Sequence, residues 1–254
     1  MDTVADISAR LGSCRLQGKP LCELRGLPMI EHVYKRVELS GAVDATYVAP
    51  PDEEVRDAVM SFGGKAIITG EHTRGTDRVA EAAQEFDADV IVIVHTDEPL
   101  ITPEMVDEAV EPVLADDNDV RAVNVARPIQ YEEAFQNPNN VKVVSDPTGD
   151  VLYFSRSPVP HHHHKKFGDI RIDHQVCVVP MERDLLLEYA RLNQGPLERA
   201  EAIDMLRLLE HGHDIRVVRT DTQTRSVDTP EEREEVNELL ATDELLAEYA
   251  PSEE

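Results

Sequence analysis

The sequence predicts an α/β protein: a mostly parallel, doubly wound sheet carrying a small antiparallel arm. Three observations carry this reading. Short apolar runs of strand length recur through the first 125 residues, and segments with apolar residues at helical spacing separate them. Beyond about residue 127 the alternation gives way to a stretch rich in proline and asparagine.

Taken in order, the chain opens on the short strand Thr3–Ile7. Met29–Leu39 has helical spacing, and Pro28 precedes it, where a missing N–H does no harm. Val43–Ala49 reads as a buried strand, Glu53–Phe62 as a helix and Ala66–Ile68 as a short strand. The helix Asp77–Phe86 leads into Asp89–Val94, the most apolar run of the chain. Pro103 then opens the helix Glu104–Leu114, before the strand Val120–Val125. Strand and helix alternating at this spacing imply parallel neighbours with helices on both faces, a Rossmann-like arrangement. Val141–Val144 is a further apolar run, and Val151–Ser155 and Ile170–Val179 read as antiparallel strands flanking a loop. That loop holds His161, His162, His163 and His164, whose side chains would alternate in direction along extended chain and make a poor single metal site. Helical spacing resumes at Arg183–Arg191 and Leu197–Glu210, Ile215–Val218 is a last strand, and Pro230 opens a C-terminal helix. The expected organisation is one domain over 1–238, an arm inserted at about 127–180, and an acidic tail over 239–254.

Composition narrows the function. With 51 Asp and Glu against 25 Lys and Arg, the net charge is −26, which repels phosphodiester backbones and anionic lipid. No nucleic-acid or membrane partner is expected. Hydrophobic residues at 41% suffice for a core, and no apolar run reaches the roughly 18 residues of a membrane span. The first residues do not form a secretory signal, and Cys14, Cys22 and Cys177 lack metal-ligand spacing, so a reduced cytoplasm is the expected home. Only six of the basic residues are lysine, and an acidic, lysine-poor surface is the pattern of a salt-in halophile.

In such a fold, ligands bind at the carboxyl ends of the strands. The loop after the first strand, Ser8 to Leu21, carries Arg10, Arg15, Lys19, two glycines and Ser13. Glycines admit close backbone approach and the cations suit a triphosphate; the plainer alternative is a basic surface turn. Lys19 is followed by Pro20, so this is no Walker loop. At the end of the most apolar strand stands His95-Thr96-Asp97-Glu98-Pro99. A carboxylate at that mouth needs a partner or a metal, and Asp97 suits Mg²⁺, which takes one or two carboxylates plus substrate phosphates. Asp228, before Thr229 and Pro230, is either a second carboxylate of this kind or an N-terminal cap for the helix that follows.

The landmarks Ala9-Arg10-x-Gly12-Ser13-x-Arg15-Leu16-x-Gly18-Lys19-Pro20-Leu21, Gly75-Thr76-Asp77-Arg78, Asp97-Glu98-Pro99-Leu100, Asn140-Val141-Lys142, Tyr153-Phe154-Ser155-Arg156, Pro196-Leu197-Glu198 and Val227-Asp228-Thr229-Pro230 arrive in one order across residues 3–238. In this the chain resembles the CMP-Kdo synthetases (3-deoxy-manno-octulosonate cytidylyltransferases). The resemblance implies a nucleotidyltransferase sheet and Mg²⁺-dependent transfer of CMP from CTP to an acidic 2-keto sugar, catalysed by a homodimer. It implies that Ala9, Arg10, Ser13, Arg15 and Lys19 hold the CTP phosphates. Arg74, Gly75 and Thr76 occupy the family's Ser-Gly-Thr position near cytosine, with Arg74 in place of serine. Asp97 and Asp228 match the metal aspartates, and with Lys19 form the catalytic set. Arg156, His174 and Glu198 fall where the family contacts the sugar. His95-Thr96 replaces a Gln-Gly, and Asp173 to Val178 depart from the family's strand, so a nine-carbon, sialic-like acid is an alternative acceptor. A sugar transferase using another nucleotide and a non-catalytic nucleotide-binding relative are the remaining alternatives.

Overall fold

The structure is a computed structural model describing residues 1–12, 16–115, 120–161, 163 and 167–250. Its elements begin with β1 (Thr3–Ser8), β2 (Glu23–Leu24), β3 (Leu27–Pro28), α1 (Met29–Glu38), β4 (Ala45–Ala49), α2 (Glu53–Ser61) and α3 (Gly75–Ala82). They continue through β5 (Val90–His95), α4 (Pro103–Leu114), β6 (Val123–Pro128), α5 (Glu132–Gln136), β7 (Lys142–Ser145) and β8 (Val151–Ser155). The last are β9 (Asp173–Val176), β10 (Val178–Glu182), α6 (Arg183–Tyr189), α7 (Pro196–Glu201), α8 (Leu206–Glu210), β11 (Arg216–Arg219), α9 (Pro230–Leu240) and α10 (Leu246–Tyr249).

The first sheet has the order β10-β5-β1-β4, with β1 parallel to both neighbours and β10 antiparallel to β5. Alternation along β1 buries two faces. Ala5 and Ile7 pack with Ile30 and Val33 of α1 and Val106 and Val110 of α4, while Val4 packs with Val79 of α3 and Leu186 of α6. Helices therefore cover both sides, as the apolar runs require. Each such buried side chain contributes roughly 1.5–3 kcal/mol by leaving water. Register aligns Ser8 with Ala49 and with His95, which sets the carboxyl ends of three strands in one row.

The second sheet, β11-β6-β9-β7-β8, pairs β6 with β11 in parallel and is otherwise antiparallel. An antiparallel bridge between Ala122 and Met181 joins the two sheets. The expected arm at about 127–180 supplies β7, β8 and β9 to this second sheet, which also takes in β6 and β11 from outside that range. Ile170–Val179 is not one strand: it divides at Cys177 into β9 of the second sheet and β10 of the first. Leu197–Glu210 likewise breaks into α7 and α8 at Ala202, whose φ of 55° ends the helix in the left-handed region. Ala66–Ile68 supplies only a bridge from Ala66 to Val48. Within the acidic tail expected over 239–254, α10 is docked on α1: the Tyr249 hydroxyl donates to His32 Nδ1 at 2.8 Å and accepts from Arg36 Nε at 3.0 Å.

Candidate active site

The row of strand ends carries a pair of carboxylates bridged by a lysine. Gly18, at φ 66°, turns the chain into a short 3₁₀ turn over Lys19–Leu21. The turn aims Lys19 Nζ at Asp97 Oδ2 and Asp228 Oδ1, each 2.7 Å away. Asp97 follows β5 by two residues, and its carbonyl accepts from Val227 N at 2.9 Å, which draws the loop before α9 against it. Asp228 is not the cap of that helix. Thr229 fills this place in a capping box: its hydroxyl accepts from Glu232 N, and the Glu232 carboxylate accepts from the N–H of Thr229 and of Asp228. With the cap supplied next door, the Asp228 side chain turns to Lys19.

Burial alone would lower the Lys19 pKa, yet the two aspartates raise it above the ordinary lysine value. Burial likewise works to raise Asp97, and Lys19 with His95 outweighs it, holding Asp97 below the usual carboxylate range. The second oxygen of Asp97, Oδ1, is buried with no hydrogen-bond partner. An unsatisfied anionic acceptor beside a second carboxylate fits a hard divalent cation. Among the described residues no cluster of three or more His, Cys, Asp or Glu ligands occurs; two carboxylates leave room for the water and phosphate ligands that Mg²⁺ takes.

Two cavities meet at this pair. A cleft of about 370 Å³ is lined by Ser8, Ala9, Arg10, Lys19, Gly75 and Arg78 together with the two aspartates. A Cβ on Gly75 would stand 2.9 Å from Ser8 Oγ, so the start of α3 lies close against the end of β1. On the other side of the aspartates, a cavity of about 160 Å³ is lined by Thr76, Asn140, Arg156, His174, Cys177 and Ser226. Burial, reinforced by Arg127, Lys142 and Arg225, pushes the His174 pKa down to about 3. Glu98, wholly enclosed beside Asp97, moves the other way: burial first and then Asp97 raise it to about 8, against bonds from Ser226 and the Cys177 N–H. A third cavity, of about 880 Å³, lies between the second sheet and α9 and shares Asn140, His174, Ser226 and Asp228 with the small one.

A family profile described as cytidylyltransferase matches residues 4–215. A 3-deoxy-manno-octulosonate cytidylyltransferase of Geobacter metallireducens is 43% identical over 252 residues, covering 95% of this chain and 98% of that protein. One of Solibacter usitatus is 42% identical over 235 residues, covering 92% of each. The chain belongs to the 3-deoxy-manno-octulosonate cytidylyltransferase family. Among solved structures, a CMP:2-keto-3-deoxy-manno-octonic acid synthetase complexed with CTP superposes with a TM-score of 0.87 at 38% identity, covering 95% of this chain and 99% of that one. A 4-diphosphocytidyl-2C-methyl-D-erythritol synthase from Anaerococcus prevotii, at 13% identity and a TM-score of 0.63, shares the fold.

Within this cytidylyltransferase the expected site residues divide. Lys19, Asp97 and Asp228 converge, Ala9, Arg10 and Gly75 line the larger-mouthed cleft, and Arg156 and His174 line the small cavity. Ser13 and Arg15 lie outside the described residues, as do His162 and His164 of the histidine run. Thr76 lines the small cavity rather than the cleft, and both its N–H and its hydroxyl are given to Asp204. Arg74 turns away from the cleft, with Nε 3.4 Å from Glu198 and 3.6 Å from Asp204. Glu198 does not line the small cavity. Both of its oxygens accept from Arg207 at 2.8 Å, and Arg207 in turn holds Asp77 at 2.6 Å, so Glu198 ties α7 and α8 to α3 in a buried ion network. This was not legible in sequence, because Arg207 stands nine residues further on, beyond the i, i+4 reach of one helix, and the pairing is tertiary. Sequence reasoning also passed over Arg78, which lines the cleft one helical turn after Gly75; the i, i+3 spacing within Gly75-Thr76-Asp77-Arg78 was the available signal.

Proposed function

We propose that the chain transfers CMP from CTP to the anomeric hydroxyl of 3-deoxy-manno-octulosonate or a nine-carbon relative, using Mg²⁺. The observation that carries this is the bridged pair Asp97–Lys19–Asp228, standing where a cation-lined cleft meets a second, enclosed cavity. Arg10 and Lys19 face the cleft and suit the triphosphate, because two anionic substrates meet only where their charge is offset. Asp97 and Asp228 would hold Mg²⁺, which when bound neutralises the α-phosphate and makes the sugar hydroxyl more acidic. Lys19 then exchanges the aspartates for phosphate oxygens. Arg156 and His174 orient the acceptor from the second sheet, with the imidazole kept neutral. The anomeric oxygen bonds to the α-phosphorus as the bond to the bridging oxygen of the β-phosphate breaks, and pyrophosphate departs. Such a reaction depends on positioning and charge more than on covalent help from the protein.

A nine-carbon acceptor is the second reading, because Cys177 lines the small cavity within the segment Asp173 to Val178 that departs from the family's strand. Pyrophosphate release with Mg²⁺, each of the four nucleoside triphosphates and a panel of 3-deoxy-octulosonic and nonulosonic acids decides among these, at low and molar KCl. CTP with an octulosonate is expected to give the fastest turnover. Equal use of another triphosphate, or none of CTP, overturns the reading. A homodimer working in a salt-rich cytoplasm completes the proposal, supported by the family resemblance and the charge of −26. Light scattering at molar KCl checks the dimer.

A further inference from the structure

Two arginines on the acceptor side of the aspartate pair have no part in the chemistry above. Arg127, near the end of β6, and Arg225, in the loop before α9, both line the large cavity. The Nε–H of each is buried without a hydrogen-bond partner. Among the described residues Arg127 has no ion pair, and its guanidinium makes one long bond, 3.5 Å to Gln223 Oε1. Arg225 pairs at its outer end with Glu235, itself 54% exposed. Glu98 is the acid that acts on Arg127 through space. Its carboxyl, whose pKa burial and Asp97 raise to about 8, bonds instead with Ser226 and the Cys177 N–H, and among the described residues no carboxylate contacts the Arg127 guanidinium. A half-buried, unpaired guanidinium is costly, so this arrangement calls for an anion from outside the chain.

His174 gives the second indication. It lines both the small and the large cavity, and the charged groups that act on it, Arg127 of β6, Lys142 of β7 and Arg225 of the loop before α9, are all cationic. Lys142 already donates its Nζ to the Asn137 and Arg156 carbonyls, at 3.0 and 2.7 Å. The unspent donors of this positive field are therefore the two guanidinium groups. Because the cavities share Asn140, His174, Ser226 and Asp228, a ligand gripped by the arginines is also within the space that reaches the aspartates.

We propose that Arg127 and Arg225 grip the carboxylate of the acceptor sugar from the side opposite the triphosphate, and so impose the requirement for an acid. This rests on the reading of the chain as a sugar-acid cytidylyltransferase. A planar guanidinium matches a carboxylate with two parallel N–H bonds, which a lysine cannot reproduce. Arg127 carries the larger share, since Glu235 already offsets Arg225.

The test compares 3-deoxy-manno-octulosonate with its methyl ester, by pyrophosphate release, in the wild type and in Arg127→Gln, Arg127→Lys and Arg225→Gln. A charge-assisted bond lost from the acceptor should raise its KM at least about 10-fold in Arg127→Gln, with the KM for CTP unchanged. Arg127→Lys should recover part of the loss, and Arg225→Gln should lose less. Wild type should prefer the acid to the ester, and Arg127→Gln should lose most of that preference. An equal rise in KM for acid and ester, or a rise in the KM for CTP, overturns the proposal while leaving the transferase reading intact. A wild type that turns over neither compound, nor any nonulosonic acid or its methyl ester, overturns both. Thermal melts of each variant separate folding defects from binding ones.

Discussion

At Asp97, Lys19 and Asp228, three charges from distant parts of the chain are held within hydrogen-bond reach of one another. The functional reading assigns the aspartates to metal, so Asp97→Asn and Asp228→Asn should each lower turnover by at least about 100-fold, on the order of 3 kcal/mol in barrier, without loss of fold. Steady-state rates at saturating Mg²⁺ with circular dichroism check this; near-normal turnover of Asp228→Asn would return that residue to a structural role. Lys19→Ala should destabilise the chain in metal-free buffer by about 1–3 kcal/mol, because Asp97 then loses its charged partner. Mg²⁺ should restore much of that loss in a melt while turnover stays low. The sign with pH follows from the depressed Asp97 pKa: its stabilising effect is present above the usual carboxylate range and fades as pH falls through the lowered value. In Lys19→Ala this acid-side loss should shrink. These residues were legible because each follows an apolar run or precedes a proline-led helix. Their convergence was not, since the choice between cap and ligand at Asp228 turns on whether Thr229 takes the cap.

Among the elements, α1 shows how a helix buries a titratable group by giving both its nitrogens work. His32 is fully buried; its Nε2–H donates to the Leu24 carbonyl and Nδ1 accepts from Tyr249 of α10. Burial pushes its pKa down to about 4, against the opposing effect of the Leu24 bond. An unfolded histidine titrates near 6.5, so between 6.5 and about 4 the unfolded chain binds the extra proton. Stability is complete above that window and falls as pH drops through it. Melts at pH 7 and pH 5 should show a larger loss in wild type than in His32→Gln; equal losses would mean that other groups govern acid sensitivity. Element prediction from sequence followed the same physics. Val90–His95 and Val151–Ser155 were read closely because one is apolar throughout and the other is bounded by turns. The breaks at Cys177 and Ala202 escaped, since apolar spacing continues through both and only the competing sheet and the left-handed turn separate them. The docking of α10 escaped because ten acids in the last 24 residues mask the one tyrosine that holds it.

For the whole molecule the governing quantity is the charge of −26, with six lysines to offset 51 acids. The Debye length falls from about 30 Å at 0.01 M salt to about 3 Å at 1 M, so only strong salt confines each repulsion to near neighbours. Melting temperature in Mg²⁺-free buffer should therefore climb with KCl up to the molar range. A midpoint indifferent to KCl would remove the halophilic reading and leave the transferase reading standing. Charge at this scale was fully legible, and so was the two-layer helical cover of the first sheet. The fusion of the second sheet was not, because a lone bridge such as Ala122 to Met181 leaves no pattern in sequence. That fusion has an evolutionary consequence. The cleft beside the aspartates is framed by β1, β5 and α3, whereas His174 and Lys142 belong to the second sheet, which runs on into the first through Cys177 and meets it at the Ala122–Met181 bridge. Substitutions on β6 and β9 can accordingly reshape the two cavities beyond the aspartates while the strands that frame the cleft stay unchanged.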